Sequence, residues 1–128
     1  MKHFIYIVVM SILLSACDHG VEWSEGDYEV LWIDTSDNRS LARIIGDNAF
    51  IGRVDPEVVA VGSNSEYVVA KQKNPDNGEI SYFIVDKARD GKYLNMSEIT
   101  EGPFTEATFL EMSKEKNLPA LTVIFGNG

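Results

Sequence analysis

From Tyr28 onward the chain reads as an α+β domain: an antiparallel β meander of about six to eight short strands, closed by one C-terminal helix packed on the sheet. Three observations point there. β-Branched and aromatic residues come in short bursts, those bursts are separated by clusters of Asn, Asp, Gly and Pro, and a single helical pattern with start and stop signals follows them. Connections this short make consecutive strands pair with each other.

Taken in order, Tyr28 to Asp34 is the first predicted strand, ended by the turn residues Thr35-Ser36-Asp37-Asn38. Leu41 to Ile45 is the second, ended by Gly46-Asp47-Asn48, and Ala49-Phe50-Ile51 adds a short third before Asp55-Pro56, where proline withholds a ladder donor. Glu57 to Val61 and Tyr67 to Lys73 form a predicted hairpin through Gly62-Ser63-Asn64-Ser65. Asn74-Pro75-Asp76-Asn77-Gly78 turns the chain again into Ile80 to Asp86. The pattern changes at Glu101-Gly102-Pro103-Phe104-Thr105-Glu106, which reads as the start of a helix over 105–117. Thr105 is its N-cap, Glu106 favours the positive end of the dipole, and Phe104 is placed to pack on Phe109, although Thr108 stands where a complete capping box has Glu or Gln. Helical spacing puts Ala107, Phe109, Leu110 and Ser113 on one side and Thr108, Glu111 and Glu115 on the other. Pro119 stops the helix, and Leu121 to Phe125 reads as a last strand, so a domain built on one sheet is expected.

The N-terminus carries a different kind of information. Lys2 followed by the uncharged apolar stretch Phe4 to Leu14 has the form of a signal peptide, too short to span a bilayer. It ends in Leu14-Ser15-Ala16-Cys17, which matches the lipobox of bacterial lipoproteins, and then switches to the polar Asp18-His19-Gly20. This predicts removal of residues 1–16 and acylation of Cys17, with diacylglycerol on sulfur and a palmitate-type chain on the new amino group. Residues 17–27 then form the lipidated cysteine and a polar tether of ~30 Å maximum reach, and 28–128 a single globular domain. Trp23 within that tether is either an interfacial anchor or the first core residue. Asp18 resembles the residue that retains lipoproteins at the inner membrane of a Gram-negative cell, so the expected address is the envelope, lipid-anchored and facing the periplasm.

Composition narrows the chemistry. Loss of residues 1–16 from 128 leaves 112 residues; Lys2 goes and no acid does, so 10 basic and 20 acidic residues remain, a formal charge of −10 against −9 for the whole chain. That balance disfavours nucleic acid and anionic lipid surfaces, and fits a cationic protein partner as well as plain solubility. His19 is the one histidine left after processing, beside the anchor, and Cys17 is consumed by lipid. A Ser-His-Asp or Cys-His site, a disulfide and a Cys/His zinc site are thereby excluded from the domain. Neither a catalytic residue nor a cofactor or metal is expected. The oxygen-rich Asn74 to Glu79 lacks the first and last acids of an EF-hand loop, so a hairpin turn explains it better.

Aromatic residues supply the candidate site. Tyr28, Trp32, Tyr67, Tyr82, Phe83, Tyr93 and Phe104 exceed what one thin sheet needs, and strand parity separates Tyr82 from Phe83. Either the helix and the chain ends cover both faces, or some of these rings face solvent. In the second case Trp32, Tyr67 and Tyr82 are the candidates for a partner-binding face.

Ser65 to Gln72, Ser81 to Asp86 and Gly102 to Phe109 together resemble a family of short bacterial lipoproteins of unknown function, which pair a Tyr-Ile/Val hairpin with a Tyr-rich return strand and a Gly-Pro-aromatic-Thr helix start. The resemblance covers about half the processed chain and implies no catalytic residue. The expected function is therefore a membrane-anchored, noncatalytic protein-binding module, such as an immunity protein against a toxin acting in the envelope. An envelope assembly or accessory lipoprotein is the alternative, and a carboxylate-dependent hydrolase the least favoured.

Overall fold

Nine strands and two helices account for residues 19–124, which the computed structural model describes. The strands are β1 (His19–Glu25), β2 (Tyr28–Ile33), β3 (Arg39–Gly46), β4 (Ala49–Val54), β5 (Val58–Ser63), β6 (Tyr67–Lys73), β7 (Ile80–Asp86), β8 (Thr100–Phe104) and β9 (Thr122–Val123). A four-residue helix α1 (Met96–Ile99) precedes β8, and the eleven-residue α2 (Glu106–Lys116) follows it. All pairings are antiparallel, as the short connections require.

One expectation about the sheet changes. The meander is split between two sheets, β1-β2-β3-β4 and β8-β7-β6-β5-β9, and the break falls at Asp55-Pro56-Glu57. The two sheets share one core: Tyr28, Val30, Leu41 and Val54 from sheet 1 meet Val58, Val61, Val68, Ala70 and Val85 from sheet 2, with Ile99 of α1 at its side. A second apolar layer lies on the other face of sheet 2, where Val69, Tyr82 and Ile84 pack against Phe109 of α2. Successive residues of a strand point to opposite faces, so Val68 and Ala70 serve one layer and Val69 the other, as do Val85 and Ile84. A strand apolar at every position is what a sheet covered on both faces calls for.

Two strands come from segments read otherwise. Residues 19–25, predicted as part of the tether, form β1, paired with β2 from His19↔Ile33 to Glu25↔Tyr28 with a bulge between Val21 and Trp23. Trp23 packs against the shared core, which settles its role as a core residue. Gly20 leaves room for the Trp32 ring of the neighbouring strand, whose Nε1 would lie 2.5 Å from a Cβ at that position. The second segment is Thr100–Phe104, an edge strand on β7 before the helix begins. Cys17 and Asp18 lie outside the described residues.

The predicted hairpin of β5 and β6 is present, and so is the turn into β7. In that turn Asn74 Oδ1 accepts the Asp76 N–H and Asn77 Oδ1 accepts the Glu79 N–H, so these oxygens serve as turn caps. Helix α2 starts as predicted: the Thr105 side chain accepts the Thr108 N–H, and the helix ends at Asn117 in the left-handed conformation. Its buried face differs by one step from expectation. Phe109 is buried with Met112 and Ser113 partly covered, whereas Leu110 is 53 % exposed and Ala107 faces solvent. The stripe runs through 109, 112 and 113 because Phe109 stacks on Tyr82 at 4.7 Å, while the Tyr82 hydroxyl donates to Glu106 and fixes the helix rotation. Phe109→Ala is expected to cost ~3–5 kcal/mol and Leu110→Ala less than ~0.5 kcal/mol in urea unfolding. Equal losses would put the helix face elsewhere.

Candidate functional site

Sheet 1 has no second apolar layer among the described residues. Its inner face is in the shared core, and its outer face carries Leu31 and Ile33 of β2, Val21 of β1, Ile44 of β3 and Ala49 and Phe50 of β4. Register brings these side chains together: Val21 sits opposite Leu31, and Ile44 opposite Phe50. They line an open groove of about 660 Å³. Leu31 forms its buried floor, while Val21, Ile33 and Phe50 are 55 %, 42 % and 43 % exposed. Large contiguous exposed apolar patches are uncommon on protein surfaces and mark places of contact with a protein, a membrane or a ligand.

The polar lining is acidic. Glu29 and Asp34 contribute carboxylates and Asn48 an amide, with no Lys, Arg or His among the lining residues. Asp34 and Asn48 both adopt positive φ, of 73° and 57°, in the turns that end β2 and join β3 to β4. Short polar side chains tolerate that conformation, which explains why turn chemistry borders the groove.

On the opposite side of sheet 1 lies a buried charge cluster that ties three of its strands to one carboxylate. The Asp90 carboxylate, fully buried, accepts from Arg53 Nη2 at 2.8 Å and Nε at 3.1 Å, from the Tyr28 hydroxyl at 2.6 Å and from the Gly91 N–H at 2.7 Å. Arg43 adds a further contact at 3.4 Å. This loop carboxylate, just beyond sheet 2, thus binds side chains from β2, β3 and β4. Burial alone pushes the Asp90 carboxyl up, but the hydrogen bonds from Arg53, Tyr28 and Gly91 outweigh it and hold it below its ordinary 3.8. Burial, and then the Asp90 hydrogen bond, push the Tyr28 hydroxyl well above its ordinary 10.0. Arg39 makes a second link, bonding Glu57 at 3.1 Å and Glu22 at 3.2 Å and so joining β1 and β3 to the residue before β5. These acids are held by guanidinium groups, and neither Asp90 nor Glu57 lines the groove.

The three predicted aromatic candidates do not converge on this surface. Tyr82, a candidate only if its ring faced solvent, is 4 % exposed beneath α2, where stacking on Phe109 accounts for its burial. Tyr67 is half-buried, packed against the same helix layer, and borders a separate hollow of about 430 Å³ with Glu66, Asp86 and Lys87. Trp32 is half-buried over Gly20, and strand alternation turns it away from the groove, to the side of Tyr28 and Val30. The groove residues Val21, Ile33 and Phe50 were missed. Val30-Leu31-Trp32-Ile33 held the signal, since a strand apolar at both parities needs cover on two faces.

Comparison with protein-family profiles, with curated proteins and with solved structures finds no match for this chain.

Proposed function

We propose that this chain is a lipid-anchored, noncatalytic protein-binding module of the bacterial envelope, and that the outer face of sheet 1 is its binding surface. The observation that carries this reading is the groove: apolar side chains from all four strands of sheet 1, exposed together and bordered by Glu29 and Asp34. Apolar centres with a polar rim are how protein interfaces are built. The lipobox supports the address. The chain is already in β1 at His19, two residues after Cys17, so the lipidated residue lies within ~7 Å of chain from sheet 1, which would hold the groove next to the bilayer. A soluble acidic domain at that position suits an immunity protein that blocks a basic toxin surface.

Two measurements test the reading. Cys17→Ser should abolish fatty-acid labelling and leave the precursor uncleaved; equal labelling of the variant removes the anchor from the proposal. A photo-crosslinking amino acid at Ile33 or Phe50 should capture a protein in intact cells, while one at exposed Leu110 on α2 should not. Capture at Leu110 alone, or a purified protein that cleaves a glycan or ester, overturns the binding face.

A further inference from the structure

Sheet 2 shows how this protein closes the outer face of a sheet. Helix α2 lies on it, with Phe109 and Met112 against Val69, Tyr82 and Ile84. The outer face of sheet 1 presents a comparable set, Val21, Leu31, Ile33, Ile44 and Phe50, with no helix over it among the described residues. We propose that this face takes an amphipathic α-helix from a partner protein, with its apolar stripe in the groove and flanking Lys or Arg side chains meeting Glu29 and Asp34. This deepens the binding-module reading and rests on it.

Size and charge select that occupant. Four strands spaced ~4.8 Å apart make a platform ~15–19 Å wide, enough to seat one helix of ~10 Å diameter. The lining carries acids and no base, on a chain whose processed form has a charge of −10. A basic border therefore gains attraction both at contact and during approach. A second copy of this chain would bring the same two carboxylates against each other, and anionic lipid headgroups would meet the same repulsion.

The test uses residues 17–128 with Cys17→Ser, so that no lipid competes, and roughly 18-residue fluorescent helical peptides, about five turns long. One carries a Leu stripe bordered by Lys; the other has Glu in place of Lys. The Lys-bordered peptide is expected to bind at least ~10-fold more tightly, with affinity falling as salt rises. Glu29→Gln with Asp34→Asn should erase most of that preference. Ile33→Ser and Phe50→Ser should weaken both peptides, whereas Leu110→Ser on α2 should not. Circular dichroism of each variant checks that the fold is retained. Equal binding of the two peptides, binding of neither, indifference to Ile33 and Phe50, self-association through this face in sedimentation, or preference for phosphatidylglycerol vesicles each overturns the proposal. If crosslinking at Ile33 captures a protein while the peptides are not discriminated, the helix is wrong and the binding face stands. If nothing is captured there, the binding face falls as well.

Discussion

Asp90→Ala is expected to destabilise the fold by ~3–5 kcal/mol, because it leaves the Arg53 guanidinium buried without its counter-charge. The Arg53 and Asp90 side chains are both fully buried and are joined by two hydrogen bonds, so neither charge can turn to water without opening the core. For a domain near this size the loss corresponds to a fall of roughly 10–25 °C in Tm. Replacing both partners, Arg53→Leu with Asp90→Leu, should recover much of the stability, since two apolar groups carry no desolvation penalty. A double variant no better than Asp90→Ala would show that Tyr28 and Gly91, and not the ion pair, hold the loop. The same cluster contributes to the pH dependence of the fold at both ends. The Asp90 carboxyl titrates lower in the folded chain, so its contribution is complete above 3.8 and is lost as pH falls through the folded value. Tyr28 titrates higher when folded, so its contribution is complete below 10.0 and is lost as pH rises beyond that. Urea midpoints should therefore drop below about pH 4 and above about pH 10, and Tyr28→Phe should flatten the alkaline limb.

The second large effect concerns the segment that resembles a tether. A chain beginning at Tyr28 is expected to lose cooperative folding at 25 °C. It lacks the β1 ladder, the Trp23 ring in the core, and Glu22, an acid bonded to Arg39. Removal of a packed Trp alone costs ~3–5 kcal/mol, against a total stability of ~5–15 kcal/mol for a small domain. It also uncovers β2 as a new apolar edge, which invites aggregation. Near-ultraviolet circular dichroism and urea titration of residues 19–128 against 28–128 measure the difference. A similar midpoint for both chains would return β1 to the role of a tether.

Local chemistry was legible where it decides structure locally. The β5–β6 hairpin, the turn from Asn74 to Gly78 and the Thr105 cap each depend on residues within a few positions of one another, and each lies where the pattern put it. The strand Tyr28 to Ile33 and the helix after Thr105 were visible from composition and spacing for the same reason. The α+β class and the antiparallel meander followed from the number and shortness of those segments. By itself the sequence also determined the acidic balance of the chain, a formal charge of −9 over its full length.

Tertiary structure decided the rest. Glu22, Ser24 and Glu25 make β1 look like a linker; it is a strand because β2 offers a free edge and the core offers a place for Trp23. Whether one sheet or two would form was decided at Asp55-Pro56-Glu57, where the chain leaves sheet 1 and Glu57 is tied to Arg39 across the break. Which aromatic rings face water was decided by α2, a layer supplied from more than twenty residues away: it buries Tyr82, whereas no helix among the described residues lies over the outer face of sheet 1. Parity along a strand assigns side chains to faces. Only the packing of one element on another determines which of those faces is closed, because that contact joins residues distant in sequence whose affinity for each other no local pattern records.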